Sequence, residues 1–600
     1  SRVKSNCGNY PAFSDIQLWR DVEFVGNRHP VFLPLAYAFC QRIEKQQQEQ
    51  HNSDIKCQYQ FREKGWTKIP LKRMGDFVLY CICLYDCREV QTSFAEEGRE
   101  RAVCCPGMEV SVKQKVLLIV PHQDDELFVG GGLLRSLAKG GEYEDYVVYT
   151  TNGDFFPHEA EVRLREAVRV LTAFAGMEES HIFFLGYGDG WKDGGHIYHQ
   201  EGDEPLVSMA GKTETYAPEG HSDYRYMRSG RHSAYRRADF KRDLKDVLAE
   251  VRADLVLVVD FDKHADHRAA SLLVEECLGE LFREDASYRP LVLKRFAYDG
   301  VWKGRADFFE LPRRATELAE LSQTPYTAEE ELRFAMPEDC ASPYLSRNPF
   351  YRALRRHRTQ EAWQKADEII NIDEVFFRRS ADNLLYTASL TASSGNPEYL
   401  RDFKLFDCGD VTERELVLKE CGWKPEEGDA ERTVRIRFEK PRTVGRIAAY
   451  ARGSGGVDRL ETVFSFDTGA EPVRMEIRPD GKRNFCTFAP REGVREMALR
   501  ITAWEGVVWG ITELEILPPE EKELPEALER LLFHGDTLRV TGLVKLRIKM
   551  EKAVLALKRK ISRWLPNSYT LRRHYPEIAR RERVSVRYRV LYIAERLRAR

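Results

Sequence analysis

Two short clusters of histidine and aspartate have the composition of a metal site. Residues 121–126 read Pro-His-Gln-Asp-Asp-Glu, and residues 264–267 read His-Ala-Asp-His. His122 and Asp125, three residues apart on a tight turn, can converge on one cation, while Asp124 must point elsewhere. Two imidazoles and one carboxylate, with a position left for water, form a catalytic zinc site rather than a closed structural one. The alternative is that each histidine is only a polar residue at the end of a strand.

The elements that must position the first cluster lie at residues 115–154. Residues 116–120 (VLLIV) are apolar and β-branched, which is typical of a strand buried on both faces. After the cluster come three glycines at 130–132, an apolar helical pattern and a second apolar run at 146–151. This order predicts a strand–helix–strand unit with the cluster at the carboxyl end of the first strand, where open α/β sheets bind ligands. Residues 253–260 (ADLVLVVD) predict another buried strand, which would bring the second cluster to the same edge.

Both clusters resemble signatures of the LmbE-like or PIG-L-type zinc N-deacetylases. The first family signature, Pro-His-Pro-Asp-Asp-Glu, matches residues 121–126, except that Gln123 replaces the second proline. The second, His-x-Asp-His, matches residues 264–267. Weaker matches are Arg163-x-x-Glu166, the turn LGYGDG at 185–190, and RRHRTQ at 355–360, where the family usually has His/Tyr-x-Ser-Gln. The resemblance covers about residues 114–380. Because position 123 carries no ligand, the exchange affects loop rigidity more than activity.

The resemblance implies a zinc site with one Zn2+ per chain. The metal ligands would be His122, Asp125 and His267. Asp124 would be the general base that takes a proton from water activated by the zinc, and the attack would fall on an amide carbonyl.

The resemblance also implies roles for residues around this centre. His264 would stabilise the tetrahedral oxyanion or protonate the leaving amine, and Asp266 would accept a hydrogen bond from His264 and favour its charged form. Arg163 and Asp189 would bind substrate, since a guanidinium fork suits a polyol or a phosphate. The alternative for Arg163 is a helix-surface residue paired with Glu166.

The function implied by the resemblance is removal of the N-acetyl group from an N-acetylglucosamine-type sugar in a glycan, glycolipid or glycoconjugate. Spacing alone would indicate only a zinc hydrolase. One alternative is an amidase that acts on a sugar–amino acid or sugar–thiol conjugate. Another is a glycan-binding or assembly protein whose deacetylase-like domain has lost its activity, which the intact histidines and aspartates disfavour.

The length and composition of the chain predict a multidomain globular protein. Its 600 residues exceed what one core accommodates, and 42% of them are hydrophobic and 32% charged. We expect a cysteine-rich mixed or β-rich region of unknown role at 1–112, with strands near 22–25 and 77–84. An α/β Rossmann-like catalytic domain with a mostly parallel sheet should follow at 113–380, then an all-β jelly-roll sandwich at 381–518 and a linker with a basic helical tail at 519–600. The odd total of 13 cysteines favours reduced thiols and a cytoplasmic protein.

Two regions beside the catalytic pattern are candidates for glycan contact. A long segment at 188–235, rich in glycine, histidine and aromatic residues, predicts a lid or binding loop, or else a surface excursion without contacts. His196 and His199 in this segment receive no metal assignment, because the two clusters already supply the ligands. The region at 381–518 resembles the discoidin-like, galactose-binding jelly roll, through TASS at 391–394, Trp423 and GITE at 510–513. That sandwich would bind a glycan or serve only as a spacer.

The C-terminal region is strongly basic. From Arg539 to Arg600 there are 19 Lys and Arg residues against four acidic ones, and residues 543–564 have a helical apolar period. A basic amphipathic helix suits an anionic membrane surface, which would make the protein peripheral to a membrane. The alternative is that the helix packs on the rest of the chain. No nucleic acid partner is expected, because the catalytic domain gives it no purpose.

Overall fold

The computed structural model describes residues 103–105, 108–109, 113–156, 159–217, 220–297, 324–342, 344–413, 416–453, 458–535 and 542–564. The chain divides into two compact units, 1–112 and 113–600. In the first unit, β1 (Val103–Cys105) pairs antiparallel with β2 (Met108–Glu109). The strands predicted near 22–25 and 77–84 lie outside the described residues.

A seven-stranded sheet forms the first part of the second unit. Its strands are β3 (Gln114–Val120), β4 (Tyr143–Thr151), β5 (Ile182–Tyr187), β6 (Leu255–Val259), β7 (Leu291–Arg295), β8 (Glu331–Ala335) and β9 (Asp373–Arg379). Their order in the sheet is β5-β4-β3-β6-β7-β9-β8. Strands β3 to β7 run parallel, and β9 runs antiparallel to both of its neighbours, β7 and β8. The mostly parallel sheet predicted from the sequence is confirmed.

Helices cover both faces of this sheet. They are α1 (Asp125–Gly140), α2 (Ala160–Phe174), α3 (Tyr224–Ser229), α4 (Arg237–Val251), α5 (Ala265–Glu284), α6 (Pro349–Leu354) and α7 (Ala366–Ile369). Alternate residues of β3 point into two separate cores: Leu118 packs with α1 and α2, and Leu117 packs with α4 and α5. Two-sided burial explains why β3 and β6 are continuous apolar runs.

The connections around β3 place the site. From β3 the chain passes through α1 to β4 on one side, whereas β6 lies on the other side of β3. The sheet order therefore reverses between β3 and β6, and a crevice at the carboxyl ends of strands is expected at such a switch point. Both histidine clusters follow these two strands.

An antiparallel sandwich follows the seven-stranded sheet and its helices. Its strands are β10 (Ala388–Ala392), β11 (Asp407–Asp410), β12 (Val417–Lys419), β13 (Thr433–Gly453), β14 (Arg459–Phe466), β15 (Val473–Ile477), β16 (Asn484–Glu505) and β17 (Val508–Leu517). The main sheet has the order β10-β13-β16-β14-β15, with β17 also paired to β13, and β11 and β12 form a separate hairpin. Trp423 is fully buried in its apolar core. The all-β region predicted from short alternating strands is confirmed.

The C-terminal elements are α8 (Glu526–Glu529) and α9 (Gly542–Trp564). Helix α9 matches the helical period predicted for residues 543–564, and the basic sequence beyond it lies outside the described residues. Among the described helices, none combines the length and the apolar content that a membrane crossing requires.

Candidate metal and catalytic site

The two clusters meet at the carboxyl ends of β3 and β6. Helix α1 begins at Asp125 directly after the first cluster, and α5 begins at Ala265 within the second. The ring of His122 lies 4.6 Å from that of His264 and 5.5 Å from that of His267, centroid to centroid. Residues separated by more than 140 positions in the sequence thus form one site.

Asp125 lies between two imidazoles. Its Oδ2 is 3.0 Å from His122 Nδ1 and 3.2 Å from His267 Nε2. Its Oδ1 is buried and has no hydrogen-bond partner among the described residues. Burial by itself would raise the pKa of Asp125, but His267 and His122 hold it well below its usual value. The predicted ligands His122, Asp125 and His267 are therefore brought together.

The other nitrogen of each imidazole faces a further carboxylate. His267 Nδ1 is 2.7 Å from Asp262 Oδ2, and His122 Nε2 is 3.2 Å from Asp266 Oδ2. If a cation displaces one proton of each imidazole, this arrangement would keep the remaining proton on the nitrogen that faces Asp262 or Asp266. It leaves His122 Nδ1 and His267 Nε2 as lone-pair donors beside Asp125, as is common for metal-ligating histidines.

The charge of the site fits a divalent cation. Burial lowers the pKa of His267, but Asp262 and Asp125 raise it to about 9. His122 is likewise desolvated, and the carboxylates around it, with Asp189 the strongest, raise its pKa well above the usual value. This excess of negative charge is what a dication would neutralise. The ligand atoms of His122, His264 and His267, and those of His122, Asp189 and Asp266, lie within 4.8 Å of one another in each set.

Asp124 has an unusual backbone. Its φ of 153° and ψ of −22° lie outside the regions that non-glycine residues commonly adopt, at a cost of roughly 1–3 kcal/mol. This conformation leaves its side chain beside the ligand set, with Oδ1 buried and without a hydrogen-bond partner among the described residues. Burial, and then the charge of Asp125, raise the pKa of Asp124 to about 6.

Gln123, the departure from the family signature, is fully buried. Its Nε2 donates to Thr151 O over 2.7 Å and so ties the loop to the end of β4. The next segment must approach closely: a Cβ at Gly153, where φ is 59°, would lie 2.5 Å from Gln123 Oε1. The loop is therefore fixed by a side-chain hydrogen bond where the family has a proline.

Arg163 points into the site rather than to the surface. It is 7% exposed, its Nη2 is 3.5 Å from Asp124 Oδ1, and its Nη1 is 3.8 Å from Asp189 Oδ2. The alternative pairing with Glu166 is wrong, because Glu166 Oε2 accepts instead from the backbone N and Oγ1 of Thr359. Asp189 Oδ1 also lies 3.8 Å from His122 Nε2. Both predicted substrate residues are thus at the rim of the ligand set.

His264 differs from its predicted charge state. Burial, followed by the neighbouring His122 and His267, lowers its pKa to about 3, and Asp266 does not outweigh them. The Asp266 carboxylate is 3.6 Å from His264 Nδ1, which instead accepts the Asp266 backbone N–H at 3.3 Å. His264 is therefore neutral near pH 7, and the accepting role of Nδ1 places its proton on Nε2.

Three further residues, to which the sequence assigned no role, also belong to the site. Asp262 orients His267, and its position directly after the β6 strand pattern was an available signal. His196 comes from the segment at 188–235, and its Nε2 is 3.0 Å from Asp266 Oδ1. His357, within the RRHRTQ match, is fully buried with Nε2 2.6 Å from Glu126 Oε1.

The segment at 188–235 packs closely rather than forming a loose loop. Trp191, Tyr198, Tyr224 and Tyr235 are buried in the core beside β5 and α4. These four rings are therefore part of the core rather than of an open binding surface. The segment contributes His196 and Asp189 to the site.

The β11–β12 hairpin of the sandwich adjoins this segment. His199 Nε2 accepts from Val411 N at 2.9 Å, and Arg268 of α5 donates to Glu413 O at 2.6 Å and to Asp262 O at 2.6 Å. A cleft of about 650 Å3, with His196, Arg237 and Lys419 in its lining, lies between the segment and the hairpin. The sandwich is thus tied to the loop that carries the second cluster.

Comparison with known families identifies the central region. Residues 117–278 match the family "PIG-L: GlcNAc-PI de-N-acetylase", so the chain contains a PIG-L/LmbE-like domain, which supports a deacetylase-like function. The match includes both clusters and Arg163, whereas His357 lies outside it. No curated protein is significantly similar to the chain.

Solved structures resemble separate parts of the chain at low identity. GalB, the 4-carboxy-2-hydroxymuconate hydratase from Pseudomonas putida KT2440, is 15% identical over 44% of this chain and 95% of its own, with a TM-score of 0.25. A deacetylase of teicoplanin biosynthesis, solved with teicoplanin, is 14% identical over 44% and 97%, with a TM-score of 0.23. The family 32 carbohydrate-binding module of Clostridium perfringens NanJ, solved with galactose, is 15% identical over 22% and 91%, with a TM-score of 0.16.

Proposed function

We propose that the domain at 117–278 is a zinc-dependent N-deacetylase that removes the acetyl group from an N-acetylglucosamine-type sugar in a glycan or glycoconjugate. The observation that carries the proposal is the pair of carboxylate-held imidazoles on either side of Asp125, next to the buried carboxylate of Asp124. The family matched by this region is described by the same reaction, de-N-acetylation, on GlcNAc-PI.

The donor set suits zinc. His122 Nδ1, Asp125 and His267 Nε2 would hold the cation, and two imidazoles with one carboxylate leave a position for water or substrate, as in catalytic zinc sites. When bound, the metal would lower the pKa of water toward neutrality and polarise a carbonyl oxygen.

Asp124 serves as the general base. Its carboxylate is buried beside the ligands, and its Oδ1 is 3.5 Å from Arg163 Nη2, which holds the side chain in place. It takes the proton from the attacking water and then delivers it to the departing amine, so that one carboxylate serves both steps.

His264 serves as a hydrogen-bond donor rather than as an acid. Because its Nδ1 accepts the Asp266 N–H, its Nε2–H is the donor available to the oxygen that becomes negatively charged during attack. The partly exposed position of His264 at the start of α5 is consistent with contact to substrate.

Arg163 and Asp189 serve to bind the sugar. Arg163 lies between Asp124 and Asp189, and a guanidinium there can donate to a ring hydroxyl while it holds the base. The cleft between residues 194–201 and the β11–β12 hairpin has room for further sugar residues of a glycan.

The test is a comparison of metal content and acetate release. We expect the wild type to hold about one zinc per chain and to release acetate from N-acetylglucosamine and its short oligomers. Asp124→Asn should retain the zinc and lose about 10²- to 10⁴-fold in turnover. Asp193→Asn, a change of an exposed aspartate, is the matched control and should behave as wild type.

Three outcomes would contradict the proposal. Turnover of Asp124→Asn within a few fold of wild type would remove the base assignment. A wild type that takes up no zinc when supplied would remove the metal site. A zinc-loaded wild type that releases acetate from none of these sugars would remove the substrate class.

A further inference from the structure

Helix α9 has two apolar faces, and one of them is docked. Ile548 and Leu555 are buried in the core beside α1 and α6. Glu551 between them accepts the backbone N–H of Leu345 at 2.7 Å, and Ser562 Oγ donates to Glu361 Oε1 at 2.9 Å. The intramolecular docking that was one of the two alternatives for this helix therefore exists.

The other apolar face of α9 is exposed. It consists of six residues spaced three or four apart, each between 48% and 82% exposed: Leu543, Leu546, Met550, Val554, Leu557 and Ile561. This spacing follows the helical repeat, so the side chains form one continuous stripe along nearly the whole helix. Scattered exposed apolar residues are ordinary, but a contiguous stripe of this length marks an interaction surface.

Basic residues border the exposed stripe on both sides. At 3.6 residues per turn, Lys549 and Lys560 lie on one side of it and Arg547 and Lys558 on the other. The helix contains eight Lys and Arg residues and one acidic residue, Glu551, which is used in docking. The surface is therefore apolar along its centre and cationic along its edges.

We propose that this stripe docks α9 in the plane of an anionic lipid bilayer. Apolar side chains would enter the boundary between headgroups and acyl chains, while the bordering lysines meet lipid phosphates, which is the arrangement of interfacial amphipathic helices. The inference does not depend on the deacetylase activity.

Charge distinguishes a lipid surface from a second copy of the chain. Pairing of two α9 stripes would bring the Lys549 and Lys560 edge of one helix against a basic edge of the other, without an acidic residue on that face. An anionic surface satisfies both edges at once. The cations along the helix also favour a position in the interface rather than across the bilayer.

The experiment is co-sedimentation of the full chain with vesicles of phosphatidylcholine alone and of phosphatidylcholine mixed with phosphatidylglycerol. We expect at least about tenfold stronger binding to the mixed vesicles. The stripe variant Leu546→Gln, Met550→Gln, Val554→Gln and Leu557→Gln should weaken that binding by about tenfold or more. The changes are exposed and glutamine favours helix, so the docked face and the activity on a soluble substrate should be retained.

A matched control removes the same number of exposed apolar side chains from the sandwich. It carries Leu416→Gln, Val417→Gln, Phe485→Gln and Val507→Gln, and its vesicle binding should equal that of wild type. A direct readout is Leu557→Trp, whose added fluorescence should be quenched by brominated acyl chains.

Each of the following results would overturn the proposal. If the wild-type protein binds mixed vesicles no more strongly than vesicles of phosphatidylcholine alone, an anionic lipid surface is excluded. If the stripe variant binds mixed vesicles as strongly as wild type, other basic segments are responsible for the binding. Loss of self-association in the stripe variant, with vesicle binding unchanged, identifies a second copy as the occupant. Absence of quenching at Leu557→Trp excludes insertion.

Discussion

The loops after β3 and β6 each bring one imidazole to Asp125, but they orient it differently. His267 is held by Asp262, five residues earlier in the same loop. His122 is held by Asp266, which belongs to the other loop, 144 residues away. The β6 loop therefore carries the carboxylate that orients its own imidazole, whereas the carboxylate that orients His122 comes from the other loop.

Asp266 also joins a third segment. Its Oδ1 faces His196, while its Oδ2 faces His122, so one carboxylate links both loops to the segment at 188–235. Burial alone would raise the pKa of Asp266, yet the two imidazoles hold it well below its usual value. We infer that Asp262 orients His267 and, through its Oδ1, the backbone N–H of His264, whereas Asp266 links His122 to the segment at 188–235.

Replacement of either carboxylate is expected to have the largest effect on zinc affinity. We expect Asp262→Asn to weaken zinc binding by about 10- to 100-fold, because the neutral amide no longer fixes His267 for coordination. Asp266→Asn should weaken zinc binding similarly and also lower kcat in the zinc-saturated enzyme, because it loosens both His122 and His196. Zinc affinity is measured by competition with a chromogenic chelator, and kcat by acetate release.

The difference between the two variants is the informative result. If the Asp266→Asn variant, saturated with excess zinc, had the same kcat as wild type, Asp266 would not couple the site to the segment at 188–235. If neither variant changed zinc affinity, the carboxylates would not orient the ligands. Asp193→Asn again provides the control for an exposed aspartate.

The contact between Asp266 and the segment at 188–235 is tested by a substitution at His196. His196→Asn retains an acceptor for the Tyr198 N–H that the His196 side chain now caps, but cannot reach Asp266. We expect kcat to fall about tenfold with zinc affinity nearly unchanged, since misplacement of a supporting group affects turnover more than metal binding. His181→Asn, which alters a histidine in contact with Asp145 O at the opposite end of the sheet, is the matched control. Equal kcat in the two variants would argue against His196 as a positioning residue.

Much of this site was predictable from local sequence. The apolar runs of β3 and β6, followed at once by histidine and aspartate, predict adjacent strand ends with converging ligands. The short signatures at 121–126 and 264–267 identified His122, Asp125 and His267, and the structure brings these three together.

The contacts that sequence did not reveal are those between distant segments. His196 approaches Asp266 only because Trp191 and Tyr235 bury the segment around it, and neither ring carries a periodic signal. The neutral state of His264 also depends on burial and on two neighbouring imidazoles, so its pairing with Asp266 in sequence suggested the opposite charge. In the same way, α9 combines a docked and an exposed apolar face, which one helical period cannot distinguish.

A buried carboxylate away from the site, that of Asp145, differs from the buried carboxylates within it. Asp145 on β4 is 8% exposed, and its Oδ1 has no hydrogen-bond partner among the described residues. Burial raises its pKa to about 7, and the positive charge of Lys113 opposes this increase only in part. Asp125 and Asp266 are also desolvated, but imidazoles keep their pKa values low. Charged and hydrogen-bonding neighbours, rather than the extent of burial, therefore determine which buried aspartates are ionised.

This contrast predicts a pH-dependent stability for Asp145→Asn, with no expected change in turnover. In the wild type the folded state binds the Asp145 proton more tightly than the unfolded state, so this residue lowers the free energy of unfolding as pH rises from about 4 to about 7. The asparagine variant lacks this loss. Its advantage should be near zero at pH 4 and reach roughly 1–3 kcal/mol above pH 7. Denaturant unfolding at several pH values measures it, with exposed Glu427→Gln as control, and a difference independent of pH would show that Asp145 is ionised throughout.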